Sequence, residues 1–243
     1  MGHLEILIQS AKRSLFFREF DRARQLLLQA LPYAQEQGAE TFVQRAIGDA
    51  SCGLQAFAEA EGWYRQALAS RPEEIPTLSD DHASLLSNLG YALDKQDRFD
   101  ESEPLHTEAL AIRTKLHGKG HPALIQPLNN LAFGFLHRDD PRRAEACLAE
   151  ALRIAETSFT TDHPALAEPL NNLGELRSRT GHLEDAAPLL RRALAVMEAV
   201  VPEPNHPDLL PFLANTAVVE RQLGNDERAD ALEARVEKIR AGG

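Results

Sequence analysis

Nine histidines and two cysteines are the side chains of this sequence best suited to metal binding or nucleophilic chemistry. Three of the histidines, His121, His163 and His206, each precede a proline and recur at intervals of 42 and 43 residues. Proline suits the first turn of a helix, and the residue before it avoids helical backbone angles. We therefore expect these histidines to mark helix starts. Equivalent places in successive repeats would keep them too far apart to share one ion at about 2.1 Å.

Catalytic motifs are absent from the sequence. It contains no His-Glu-x-x-His, no Cys-x-x-Cys and no glycine-rich phosphate loop. Cys147, next to Leu148, is expected in the core, and Cys52 has no basic neighbour that would make it a nucleophile. The 37 carboxylates fall mostly on predicted helix surfaces. The sequence therefore predicts a protein that is not an enzyme and that binds no cofactor or metal.

Asparagine forms the most regular polar pattern, because Asn88, Asn130, Asn172 and Asn215 recur at intervals of 42, 42 and 43 residues. Asparagine is a mediocre helix former, so its repeated use needs a reason. An amide can pair with the main chain of an extended peptide, or it can tie neighbouring helices together. For Asn88 and Asn215 both interpretations stay open. For the doubled pairs 129–130 and 171–172 we favour ligand contact.

Small residues reveal the elements that must position these amides. One set recurs at intervals of 37, 42, 42, 42 and 43 residues: Ala23, Ala60, Ser102, Ala144, Ala186 and Ala229. Further small residues lie twelve positions before each mark, and alanines lie seven positions after the first five. Small side chains at fixed offsets let two helices approach closely. Six units of one repeat therefore account for almost the whole chain.

Each unit has the apolar spacing of a pair of helices. Leu124, Leu128, Leu131 and Phe135 lie at i, i+4, i+7 and i+11 on one helical face. Turn residues such as Gly181 and the segment 224–226 interrupt the pattern where an antiparallel turn is needed. No sustained alternation of period two occurs, so we expect helix-turn-helix pairs and no sheet.

Segments 121–131 and 163–173 are copies of one motif. Each reads His-Pro-Ala-Leu and then, two residues later, Pro-Leu-Asn-Asn-Leu, and a weaker copy begins at His206. The register resembles the tetratricopeptide repeat, a helical hairpin of about 34 residues. The 42-residue spacing resembles the kinesin-light-chain type. The resemblance implies an all-α fold: one right-handed superhelical solenoid over 1–243, with units at about 4–39, 40–80, 81–120, 121–162, 163–205 and 206–243.

The resemblance also implies that the first helix of each pair lines a concave groove that binds a peptide or protein segment. We expect asparagine side chains of the groove to bind the main chain of the ligand, and Lys95, Glu175 and Arg179 to select its charge. Tyr91 and Phe133 would anchor the ligand, although packing between repeats is an equal alternative for these two residues. The predicted groove residues are Asn88, Tyr91, Lys95, Gln126, Asn129, Asn130, Phe133, His137, Glu168, Asn171, Asn172, Glu175, Arg179 and Asn215.

Charge narrows the range of partners. The chain has 26 basic and 37 acidic residues, a net charge of −11, which disfavours nucleic acid and anionic membranes. No apolar run reaches the roughly 18 to 20 residues of a membrane span, and the first residues do not resemble a signal peptide. We therefore expect a cytoplasmic interaction scaffold with a protein or peptide partner. A peptide-responsive regulatory sensor is one alternative.

The first helix supplies the other alternative, a self-assembling structural module. Its apolar residues are more numerous than one helical stripe needs: Leu4, Ile6, Leu7, Ile8, Leu15, Phe16, Phe17 and Phe20. Either the helix faces the core and leaves some of these side chains exposed, or it forms a homo-oligomer or docks a partner.

Overall fold

The computed structural model describes residues 2–70, 77–201 and 203–241. These residues contain twelve α-helices, three short 3₁₀ turns and no strand, which confirms the predicted all-helical fold. The chain divides into two compact units, residues 1–118 and 119–243. Each is described by itself, and the predicted limits of the six repeats stay predictions.

The first unit consists of three helical hairpins. Consecutive helices within it pack against one another, including across the boundaries between hairpins. Its helices are α1 (His3–Phe16), α2 (Phe20–Glu36), α3 (Glu40–Gly53), α4 (Phe57–Ala69), α5 (Asp80–Asp94) and α6 (Phe99–His117).

The second unit also consists of three helical hairpins, and in each of them the second helix is longer than the first. Its helices are α7 (Ile125–His137), α8 (Pro141–Ser158), α9 (Ala167–Arg179), α10 (Leu183–Val200), α11 (Leu210–Gln222) and α12 (Asp226–Ala241). A 3₁₀ turn precedes α7, α9 and α11, and His121, His163 and His206 stand immediately before these turns. In each histidine Nδ1 accepts a hydrogen bond from the backbone N–H two residues later, at 3.2 Å. The histidines therefore mark helix starts, as predicted.

The small register residues lie where two helices touch. All six marks from Ala23 to Ala229 are buried, at 0 or 1% exposure. Gly90 and Gly174 lie twelve residues before the marks Ser102 and Ala186. They face His106 and Leu190, which lie four residues after these marks. A Cβ on Gly90 would lie 2.5 Å from the His106 ring, and one on Gly174 would lie 2.7 Å from Leu190 Cγ. A methyl group at either glycine would force the helices apart, which explains the small side chains.

The turns within the hairpins share one backbone conformation. A residue with positive φ closes each of them, five residues before the register mark: Arg18, Gln55, Asp97, Asp139, Gly181 and Gly224. The left-handed conformation lets the backbone N–H of the following residue reach back into the preceding helix, as in the bond from Arg98 to the Leu93 carbonyl. The hairpin geometry therefore repeats at the same intervals as the core.

The first helix combines a buried stripe with exposed aromatic rings at its end. Leu4, Leu7 and Ala11 are buried against neighbouring helices. Phe16 and Phe17 are 82% and 59% exposed. The helix thus faces the core and still leaves apolar area open to solvent.

Candidate functional site

A pocket of about 200 Å³ opens in the second unit at the helices that carry the doubled asparagines. Helices α7 and α9 supply most of its lining, and α8 adds one leucine. The lining residues are Asn129, Ala132, Phe133, Leu136, His137, Leu148, Asn172, Glu175 and Arg179. Six of the nine belong to the predicted groove.

Helical spacing explains why these side chains meet. In α7, Asn129, Phe133 and Leu136 lie at i, i+4 and i+7, on one face. In α9, Asn172, Glu175 and Arg179 lie at i, i+3 and i+7. The sequence analysis missed Ala132, Leu136 and Leu148 as lining residues, although the spacing in α7 identifies the first two.

Asn129 is buried in this pocket without a hydrogen-bond partner. Its side chain is 5% exposed, and neither its amide oxygen nor its amide nitrogen bonds to any residue that the structure describes. Buried polar groups are paired in the great majority of cases, since an unpaired one costs about 1–3 kcal/mol. A ligand group that enters the pocket can supply the missing bonds.

Asn172 differs from the asparagines at equivalent positions in other hairpins. Asn88 donates a hydrogen bond to Asp49 Oδ1 at 2.9 Å, and Asn215 donates to Glu175 Oε2 at 3.3 Å. Each carboxylate lies 39 or 40 residues before its asparagine. Phe133 occupies that place before Asn172, and a phenyl ring cannot accept such a bond.

The Asn172 side chain is half-buried and makes no hydrogen bond within the described ranges. The repeated asparagine therefore joins two hairpins where the earlier residue is acidic. Asn172, which follows the aromatic Phe133, has no such bond.

The rim of the pocket carries an aromatic pair and an ion pair. The rings of Phe133 and His137 lie 4.4 Å apart between centroids, and Phe133 is 37% exposed. Arg179 Nη1 lies 3.9 Å from Glu175 Oε1, so the two charges offset each other. The pocket thus combines apolar area, unpaired amides and a balanced local charge.

The first asparagine of each doubled pair is buried, whereas the sequence predicted that both members would face the groove. Asn129 and Asn171 are 5% and 6% exposed, because the first member of each pair faces the neighbouring helices. Asn171 Oδ1 accepts a hydrogen bond from Asn215 Nδ2 at 3.2 Å. Within the second unit, Asn171 and Asn215 therefore tie helices together.

The other predicted residues of this unit lie outside the pocket. Gln126 and Glu168 are exposed, and Asn130 is half-buried.

In the first unit, Asn88 contacts a half-buried carboxylate, Asp49, that was not among the predicted residues. Asp49 accepts hydrogen bonds from the Tyr64 hydroxyl at 2.8 Å and from Asn88. Burial raises the pKa of Asp49, and these hydrogen bonds oppose the rise. Tyr91 is 41% exposed, with Lys95 Nζ 5.3 Å from its ring centroid. Asn88 is thus a structural residue, whereas Tyr91 and Lys95 stay on the surface.

Nowhere in 2–70, 77–201 and 203–241 do three His, Cys, Asp or Glu side chains meet as a metal ion would require. No helix of this part of the chain is both long and apolar enough to cross a bilayer.

Residues 81–157 and 126–199 match the tetratricopeptide repeat family. No curated protein matches the sequence. Three similar solved structures indicate the relationship. BtubC (BKLC) from P. vanneervenii is 26% identical, with a TM-score of 0.70, over 100% of this chain and 92% of that one.

A putative kinesin light chain from Podosopora anserina, with nearly identical TPR-like repeats, is 19% identical at a TM-score of 0.64, over 82% of this chain and 93% of that one. A Rap protein complexed with competence and sporulation factor is 16% identical at a TM-score of 0.76, over 98% of this chain and 65% of that one. These findings confirm the predicted repeat type, including its likeness to kinesin light chains.

Proposed function

The chain is a tetratricopeptide repeat protein, and from this premise we propose that it is a non-catalytic, cytoplasmic scaffold that binds a peptide or protein segment. The observation that carries the proposal is the pocket between α7 and α9, where Asn129 and Asn172 have no hydrogen-bond partner in the described chain. The exposed Phe133 ring adds the flat apolar area on which binding hot spots are built. The net charge of −11 favours basic or neutral segments.

The Rap neighbour, solved with a bound factor, supports a peptide ligand for this kind of fold. On this proposal the ligand lies along the first helices of the second unit. Asn172 contacts its polar groups and Phe133 packs against its apolar groups. Asn88, Asn171 and Asn215 support the scaffold and do not touch the ligand.

A random peptide library displayed on phage tests the proposal with the full-length protein as bait. We expect selected peptides to bind the wild type and to lose affinity for Asn172→Ala and Phe133→Ala. Asn205→Ala and Tyr33→Ala are matched controls, because both residues are exposed and lie outside the pocket. Equal binding by all five proteins would remove the pocket from the proposal, and no selected peptide at all would contradict peptide binding itself.

Self-association through the first helix is a second candidate, favoured by the exposure of Phe16 and Phe17. Their rings lie 5.2 Å apart and form one small apolar patch. Sedimentation over a range of protein concentrations tests it. A dimer that Phe16→Glu dissociates would support self-assembly, and a monomer at every concentration would exclude it.

The Rap complex also supports the alternative of a peptide-responsive sensor. A sensor needs different peptide affinities in two conformations. Small-angle scattering with and without a selected peptide separates the two functions. A changed scattering profile would favour a sensor, and an unchanged one would favour a rigid scaffold.

A further inference from the structure

We propose that the pocket between α7 and α9 is a specificity subsite that accepts a glutamine or asparagine side chain of the bound segment. The inference rests on the proposed function, because it names the part of the ligand that enters the pocket. Its occupant is a neutral carboxamide carried on a short apolar stem.

The hydrogen-bonding groups of the pocket require an occupant that both donates and accepts. Asn129 presents an unpaired oxygen, which accepts, and an unpaired nitrogen, which donates. Asn172 adds a second amide with no partner in the described residues. A carboxamide has the complementary pair of groups at the same spacing, so one side chain can satisfy both atoms of Asn129.

Burial favours a side chain over the main chain of the ligand. Asn129 is only 5% exposed, so a group that reaches its amide must enter the pocket completely. A volume of about 200 Å³ has room for one side chain. The main chain of an extended peptide would have to bend sharply to reach the buried amide of Asn129. It can instead meet the half-buried Asn172 at the edge.

The local charge balance favours a neutral occupant. Glu175 and Arg179 pair with each other, and Glu175 also accepts a hydrogen bond from Asn215. A carboxylate in the pocket would offer no donor to the Asn129 oxygen and would lie near Glu175. An ammonium group would offer no acceptor to the Asn129 nitrogen and would lie near Arg179. A charged side chain would therefore lose its hydration without full compensation.

The remaining lining matches the stem of such a residue. Ala132, Leu136 and Leu148 provide apolar surface beside the amides. The one or two methylenes of asparagine or glutamine can pack there, with the Phe133 ring at the rim. A wholly apolar side chain such as leucine would fill the same space and leave the Asn129 amide unpaired, which costs binding energy.

The aromatic residue at position 133 explains why Asn172 can face a ligand. At the equivalent positions Asp49 and Glu175 accept hydrogen bonds from the asparagine of the next hairpin. With phenylalanine at 133, Asn172 loses that internal partner and turns from a structural residue into a lining residue. The subsite therefore depends on the aromatic Phe133 and on the unpaired Asn129.

Peptide selection from a random phage library, with wild-type protein and Asn129→Leu as parallel baits, tests the inference. We expect one position of the wild-type peptides to be enriched in glutamine or asparagine, and the enrichment to disappear with Asn129→Leu. Because Asn129 is buried, folding of the variant is checked by circular dichroism. Should it not fold, Asn172→Ala replaces it, since Asn172 is only half-buried.

Peptide variants then give the size of the effect. Replacing the enriched residue by Leu or by Glu should each weaken binding by about tenfold, the loss expected for one unpaired hydrogen-bonding group. Peptides that bind without carboxamide enrichment, or that bind Asn129→Leu and Asn172→Ala as tightly as wild type, would overturn the subsite and leave the scaffold proposal standing. If no peptide binds the wild-type protein, the scaffold proposal fails together with the subsite.

Discussion

Asn215 donates a hydrogen bond to Glu175 across α9 and α11, at 3.3 Å. It has a second acceptor in Asn171 Oδ1 at 3.2 Å. Asn172 stands at the equivalent place one hairpin earlier, with Phe133 where an acceptor would be. Asparagine at the same position of the repeat thus has a structural role in the hairpin of Asn215 and lines a pocket in the preceding hairpin.

The first prediction follows from this difference. Asn215→Ala should lower the free energy of unfolding by about 1 kcal/mol, because it removes the hydrogen bonds from a partly buried amide to Asn171 and Glu175. Asn172→Ala should change it by less than about 0.5 kcal/mol, since no internal bond is lost. Urea unfolding followed by circular dichroism measures both, with the exposed Asn205→Ala as control. Equal losses for Asn172→Ala and Asn215→Ala would mean that Asn172 has an internal partner.

The second prediction concerns the unpaired amide of Asn129. Asn129→Leu should raise the free energy of unfolding by about 1–2 kcal/mol, because it replaces two unsatisfied buried polar atoms by apolar ones of similar volume. The neighbouring repeat offers a matched control. Asn171→Leu should destabilise the protein, because it removes the acceptor of the Asn215 amide. If both variants were less stable than wild type, the Asn129 amide would have hydrogen-bond partners in solution and would not need them from a ligand.

The helical fold could be predicted well from the sequence, because the same pattern of small residues recurs in each repeat. One small residue in a helix is weak evidence, but six in register from Ala23 to Ala229 identify the surfaces where helices touch, and all six are buried. The histidines before prolines likewise predicted helix starts, since their role depends only on local backbone geometry.

The site was harder to predict, because the role of each asparagine depends on a residue about 40 positions away. Asn88 and Asn215 are structural residues since Asp49 and Glu175 precede them at that distance. The burial of Asn129 and Asn171 was also unexpected, because adjacent residues of a helix differ by about 100° in direction. Only one member of each pair can thus face the groove directly. The acidic residues 39 or 40 positions earlier are the sequence signal that marks Asn88 and Asn215 as structural.

The third prediction compares a glycine in the left-handed conformation of a turn with a glycine inside a helix. Gly181 closes a hairpin turn with a φ of +83°, so Gly181→Ala should cost about 1 kcal/mol. Gly62 lies inside α4, where an added Cβ would meet no atom within 4 Å. Gly62→Ala should therefore stabilise the protein by about 0.5–1 kcal/mol. Thermal and urea unfolding measure both, and shifts of the same sign would contradict this account of the turns.

The fourth prediction is a pH dependence that arises from Asp49, the half-buried carboxylate of the first unit. Burial raises the pKa of Asp49 above its ordinary value of 3.8, so the folded state holds this proton more tightly than the unfolded state. The contribution of Asp49 to stability is therefore fully present below pH 3.8 and is lost as the pH rises through the raised pKa.

Asp49→Asn isolates this contribution, because the amide keeps the oxygen that accepts from Tyr64 and Asn88 and carries no charge. The free energy of unfolding of the wild type minus that of Asp49→Asn should fall as the pH rises above 3.8 towards neutrality. Urea unfolding of both proteins across this range gives the difference directly. Carboxylates with lowered pKa, such as Glu101 and Asp140, affect both proteins equally and cancel. A difference that rises with pH would show that the hydrogen bonds from Tyr64 and Asn88 outweigh burial and hold Asp49 ionised.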